Sequence, residues 1–160
     1  MKKITNFNDF INETAKKDKS EISDKKGHHV NIEKETIDNE NYRRVLYTGE
    51  NMQLALMNLK PGEEIGKEMH PTIDQFFRFE EGKGKVFINE SEYNVKDGDS
   101  VIIPAGSEHN IMNIGKDDLK LYTIYTPPNH QDGIVFKTKE EADKSKEKFD
   151  GIITEKEKEE

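Results

Sequence analysis

The sequence predicts an all-β chain, an antiparallel sandwich or barrel with short helical extensions at both ends. Three observations predict it. Short β-compatible runs recur roughly every 8–12 residues with turn residues between them. The apolar residues cluster between Tyr42 and Pro128, whereas both ends are dominated by Lys, Glu, Asp and Asn. No alternation of strands with long helices occurs, as a parallel sheet would need.

The elements follow in chain order. Phe7, Phe10, Ile11 and Thr14 recur at helical spacing behind a cap at Thr5 or Asn6, which reads as a short surface helix or a docking helix. Residues 16–27, KKDKSEISDKKG, read as a solvated linker, and His28 and His29 as solvated with it. From Val30 the pattern changes to strands. YRRVLYTG and MQLALMNL are separated by GEN, a hairpin-like break, and Lys60-Pro61-Gly62 is a turn signal. QFFRF, KVFIN, EYNV, VIIPAG, HNIMNI and LKLYTIYT follow, divided by EEGKG, NESE and KDGD. After Pro127-Pro128 comes a loop holding His130. Thr138 then opens a polar helix, KEEADKSKEKF, through a capping box, with Glu140 and Lys144 paired at i,i+4 and Phe149 as a pin to the core. TEKEKEE reads as a disordered tail. The boundaries expected are thus an extension over 1–29, a barrel over 30–128, and a loop, helix and tail over 129–160.

Composition narrows function. Of 160 residues 31% are hydrophobic and 36% charged, so a core of roughly 85–90 residues with charged extensions is the simplest reading. The net charge is −8 with Lys and Glu intermixed, which gives nucleic-acid binding no support. No apolar run reaches membrane-spanning length, and MKKITNFNDF lacks the apolar stretch of a signal peptide. The absence of cysteine excludes disulfides and thiolate metal sites and fits a cytoplasmic protein.

Two segments carry the chemistry. In KEMHPTIDQFF, Glu68 and His70 stand two apart and share a face on a strand. Gln75 can reach the same interior if Pro71–Asp74 forms the bend. Phe77 and Phe79 then point inward with Gln75, as an apolar pocket wall or as core, and Phe76 and Arg78 point to the other face. In GDSVIIPAGSEHNIMN, Asn113 lies on the strand face of His109. Residues of these types either coordinate a ligand or are ordinary polar residues at a hairpin end.

The second segment reads Gly98, five residues, Pro104, one, Gly106, two, His109, three, Asn113. It resembles the second motif of the cupin superfamily at every position. The first reads Gly62, five residues, Glu68, one, His70, four, Gln75, six, Gly82. It resembles the first cupin motif in spacing, with Glu in place of a histidine and Gln in place of the glutamate. The resemblance spans about Tyr42 to Pro128. It implies a jelly-roll barrel, a double-stranded β-helix, with one divalent metal ion held by Glu68, His70, Gln75 and His109. One carboxylate, two imidazoles and an amide carry the same formal charge, −1, as three imidazoles and a carboxylate. The extra oxygen donor shifts preference toward Mn²⁺, Fe²⁺ or Zn²⁺ and away from Cu²⁺. Glu68 is the candidate catalytic group, because an amide cannot act as a general base. Phe77, Phe79 and Asn113 are candidate substrate-pocket residues, with Tyr122 and Tyr125 either at the mouth or structural.

His70-Pro71 is similar to the first motif of mannose-6-phosphate isomerase-like cupins, which implies isomerase-like chemistry on a small polar molecule. No inward Lys or Arg for a phosphate is evident. An iron-dependent dioxygenase and a non-catalytic ligand-binding module are the alternatives. The resemblance also implies a homodimer.

Overall fold

The computed structural model describes residues 23–156, so the helix expected over Phe7–Thr14 lies outside the described residues. The chain divides into two units, residues 1–27 with 157–160, and residues 28–156. The second unit holds the barrel. No helix among the described residues is long and apolar enough to cross a membrane.

Ten strands and two helices make up this unit. They are α1 (Ile32–Asp38), β1 (Arg43–Thr48), β2 (Gln53–Leu59), β3 (Glu68–Met69), β4 (Asp74–Glu81), β5 (Lys83–Ile88), β6 (Ser91–Lys96), β7 (Ser100–Ile103), β8 (Glu108–Asn113), β9 (Leu119–Thr126), β10 (Val135–Phe136) and α2 (Lys139–Lys144). One sheet runs β10-β1-β2-β9-β4-β7 and the other β3-β8-β5-β6, with antiparallel pairing throughout. The two sheets face each other as a double-stranded β-helix, and the expected strand segments fall where the alternation placed them.

The inner face is graded from polar to apolar. Across β2, β9 and β4, Gln53, Tyr125 and Gln75 stand in register at one level. Ala55, Thr123 and Phe77 form the next level, and Met57, Leu121 and Phe79 the third. Below them the core closes around Leu59, Val86, Ile111 and Leu119, all fully buried. Alternation of side chains along each strand sends the intervening residues, Leu56, Tyr122 and Phe76 among them, to the other face of the sheet. Phe76 and Arg78 lie on the outer face as expected, Phe76 against Tyr122 and Arg78 beside Glu80. The first motif ends at Gly82, whose φ of +92° favours glycine and where a Cβ would sit 2.5 Å from the Asp118 carbonyl oxygen.

Helix α1 departs from the reading of strands from Val30 onward. Asn31 caps it by accepting from the Lys34 N–H, and the buried Thr36 hydroxyl donates to the Ile32 carbonyl. Its end is welded to β2 and β9, because the Asn39 carbonyl accepts from Lys120 Nζ and Asn58 Nδ2. Helix α2 has the expected cap, Thr138 accepting from the Glu141 N–H, and the expected Glu140–Lys144 pair, but it ends at Lys144.

The chain beyond α2 returns across β1 and the 129–132 loop. The Phe149 N–H donates to the Asn129 carbonyl. Thr154 bonds the backbone of Thr48 through both its N–H and its hydroxyl oxygen, and Glu155 accepts from the Tyr47 hydroxyl. The first residues of the charged tail, read from sequence as disordered, are therefore tied to the barrel.

Candidate metal centre

Strand β3 is only two residues long, yet it sets Glu68 directly opposite His109 of β8. Cross-strand partners in an antiparallel ladder carry neighbouring side chains on one face. Met69 alternates outward and is exposed. His70 follows at the strand end, and the chain then bends through Pro71–Ile73 into β4. Two hydrogen bonds fasten this bend to the second motif. The Gly106 N–H donates to the His70 carbonyl at 2.8 Å, and the Ala105 N–H to Asp74 Oδ1 at 2.8 Å. Gly106 adopts φ +82°, which explains the glycine at that turn. The fixed spacings of the two motifs thus meet in one corner of the barrel.

Glu68, His70 and His109 each offer a ligand atom within 4.8 Å of the others. Glu68 Oε2 lies 3.5 Å from His70 Nε2 and 3.9 Å from His109 Nε2. The His109 ring is buried and its Nδ1 sits 3.0 Å from the Ser107 carbonyl. A carbonyl only accepts, so Nδ1 carries the proton and Nε2 presents its lone pair to Glu68 and His70. Gln75 is buried and donates Nε2–H to the Thr123 hydroxyl at 2.9 Å, which fixes the amide. Its Oε1 has no hydrogen-bond partner, and neither has His70 Nε2 or His109 Nε2. Buried polar atoms are rarely left unpaired. Two such imidazole nitrogens beside one carboxylate fit a divalent cation, and the buried Gln75 Oε1 is a further unpaired oxygen of ligand type.

The electrostatics agree. Burial alone would raise the Glu68 carboxyl. The adjacent His70 ring and the Arg43 guanidinium, with His109 behind them, outweigh burial and hold it below the usual carboxylate range. Glu68 is therefore anionic at neutral pH.

The other sequence-derived residues fall elsewhere. Phe77 and Phe79 are buried in the main apolar cluster. The Asn113 amide donates to the Leu59 and Asp117 carbonyls and accepts from the Gly115 N–H, so it ties the β8–β9 turn. His28 and His29 are exposed, as expected.

Two features escaped the sequence. The first is Arg43, which points into the barrel and is 8% exposed, whereas Arg44 points out and is exposed. Its Cζ stands 5.3 Å from the Tyr42 ring centroid. The second is His130, read as a loop residue, which is buried. Its Nδ1 meets Glu147 Oε1, and its Nε2 lies 3.1 Å from the Tyr125 hydroxyl. The Gln131 N–H donates to Glu147 Oε2. The fully buried Gln53 holds the loop by accepting from the Asn129 and His130 N–H groups and donating to the His130 carbonyl. Tyr125 is buried with its ring edge against His70, at 6.4 Å between centroids. Burial pushes its hydroxyl up to about 12, so it stays neutral and donates to His130.

Known proteins resemble this chain over much of its length. A Bacillus subtilis protein, YrkC, described as uncharacterized, is 45% identical over 119 residues, 71% of this chain and 64% of that relative. The chain thus spans less than two thirds of that relative. Protein L612 of Acanthamoeba polyphaga mimivirus, also uncharacterized, is 43% identical over 108 residues, 65% of this chain and 68% of that one. The crystal structure of BH2720 from Bacillus halodurans superposes with a TM-score of 0.74 at 44% identity, covering 75% of this chain and 96% of that one. The pattern described as the cupin domain matches residues 55–125, which include Glu68, His70, Gln75 and His109. The chain belongs to the cupin family.

Proposed function

We propose that the barrel holds one divalent cation, Mn²⁺, Fe²⁺ or Zn²⁺, through Glu68, His70, Gln75 and His109, and acts there on a small polar molecule. The observation that carries this reading is the cluster of Glu68, His70 and His109, whose ligand atoms lie within 4.8 Å of one another with both imidazole Nε2 atoms unpartnered. When bound, the cation would supply Lewis acidity to a hydroxyl or carbonyl oxygen. The chain supplies the rest. Gln75, locked by Thr123, can coordinate and orient but cannot accept a proton. Glu68 is the half-exposed member of the set and, as an anion, the available proton acceptor. Proton transfer on carbons beside a carbonyl, as in isomerases of the mannose-6-phosphate type, is the chemistry this arrangement suits.

A second reading has its own observation. The tight cluster consists of two histidines and one carboxylate, the donor set of iron-dependent oxygenases. Metal content by plasma mass spectrometry, on wild type and on the His70→Ala/His109→Ala double variant, tests the shared part. About one equivalent in wild type and none in the variant is the expected result. No metal in the wild type after reconstitution with Mn²⁺, Fe²⁺ and Zn²⁺ would leave a barrel that only binds a ligand. Oxygen uptake by the iron-loaded protein separates the two readings.

A further inference from the structure

We propose that Arg43 is an anion-binding group inside the barrel, and that the molecule it receives is small and carries a single carboxylate beside an oxygen that reaches the Glu68–His70–His109 cluster. The second half of this proposal rests on the metal reading above. The first half stands on Arg43 alone.

Arg43 is 8% exposed, and its Nε has no hydrogen-bond partner. Among the described residues no carboxylate comes within ion-pair distance of it, although it feels the charges of Glu68 and Glu147. A buried guanidinium left unpaired is costly, and proteins keep one where an opposite charge completes the site. The alternation on β1 makes this a placement rather than an accident, because Arg44 and not Arg43 takes the outward position.

The guanidinium is also held still. The Tyr42 ring lies 5.3 Å from its Cζ, and the buried Tyr125 hydroxyl is a close electrostatic neighbour. From there the donors run one way. The Tyr125 O–H donates to His130 Nε2, and the His130 Nδ1–H donates to Glu147. The carboxylate of Glu147 is fixed in turn by the Gln131 N–H. Within this network Arg43 Nε is left without a hydrogen-bond partner. Nε–H with the neighbouring Nη–H forms a fork that matches the two oxygens of a planar carboxylate.

One guanidinium suits a monoanion. The other buried amine in the barrel wall, Lys120, donates to the Asn39 carbonyl, and Arg78 lies on the outer face beside Glu80. A phosphate dianion would face a single cation in a chain of net charge −8.

The test is calorimetric titration with glycolate, its neutral counterpart glycolamide and inorganic phosphate. Wild type, Arg43→Gln and Arg43→Lys would each be titrated zinc-loaded and metal-free, with zinc content measured separately. Wild type should bind glycolate at least tenfold more tightly than glycolamide or phosphate. Arg43→Gln should lose at least tenfold for glycolate while keeping its zinc, and Arg43→Lys should recover only part, since it keeps charge without the fork. Equal glycolate affinity in wild type and Arg43→Gln overturns the proposal. So does absence of glycolate binding, or wild-type binding that ignores charge or prefers phosphate. If Arg43→Gln does not fold, the wild-type preference of glycolate over glycolamide decides. Failure of zinc to load would count against the metal reading, while the metal-free titrations would still decide Arg43.

Discussion

Gln75 is the residue at which this site departs most from its family pattern. The Thr123 hydroxyl takes one Nε2–H, and the buried Oε1 is left without a hydrogen-bond partner. Gln75→Leu keeps the size and removes the donor, and it should weaken Zn²⁺ binding by at least about tenfold, a loss of about 1.4 kcal/mol. Gln75→Glu adds a second anion to the set and should tighten binding by a similar factor. Chelator competition reads both. Unchanged affinity in Gln75→Leu would mean that Oε1 is not a ligand. A second residue, Gly82, tests the packing beneath the first motif. Its φ of +92° and the 2.5 Å approach to the Asp118 backbone leave no room for a methyl group. Gly82→Ala should cost about 2 kcal/mol or more, read as a fall in the urea midpoint at unchanged slope.

At the scale of elements, the segment after α2 acts as a strap, and its attachment has a pH signature. Burial pushes His130 below the usual histidine value of 6.5 despite the neighbouring Glu147. As pH falls, the unfolded chain takes up the proton first, so the folded state loses ground. This contribution is complete above about pH 6.5 and is lost progressively below it. Glu147, held below its usual 4.5 by the His130 and Gln131 hydrogen bonds that outweigh its burial, adds a second loss as pH falls below that value. Stability measured from pH 7.5 to 5 in the His70→Ala/His109→Ala background, where the ligand histidines cannot titrate, should fall below pH 6.5. His130→Gln should flatten that slope, and an unchanged slope would remove the strap from the account. The strap also marks the limit of what was legible in the sequence. Strands such as QFFRF were readable because inward and outward residues alternate, and the meeting of Glu68, His70 and His109 was readable because the spacing of each segment is local. His130 was not, since its partner Glu147 lies in a charged run that reads as solvated. Arg43 was not, because it precedes a second arginine and nothing local says which faces inward. Helix α1 was missed because IEKETID is rich in β-branched residues, and Thr36 is buried only through contact with the sheets.

For the whole molecule, the four candidate ligands join both sheets, Glu68 and His109 from one and Gln75 from the other, with His70 at the bend between them. Strand β7 is an edge of the six-stranded sheet, with Ile102 at 65% exposure. An edge of this kind is the natural place for the dimer that the family resemblance implies; a monomeric mass by light scattering at high concentration would sink that expectation. The proposed metal has a firmer consequence. A cation bound across the sheets exists only in the folded state, because the unfolded chain scatters Glu68, His70, Gln75 and His109. Binding is therefore linked to folding. At a free concentration about 100 times the dissociation constant it adds about 2.7 kcal/mol. For a chain of this length each kcal/mol moves the melting temperature by about 2–4 °C, so saturating Zn²⁺ or Mn²⁺ should raise it by about 5–10 °C. The rise should continue with the logarithm of metal concentration, because each further tenfold excess adds about the same increment. The double-histidine variant should melt at one temperature with or without the metal. A wild-type melt that ignores metal would mean that the unpartnered atoms at the corner of the barrel serve another ligand. Arg43, which needs no metal to remain a buried cation, would then be the group left to identify it.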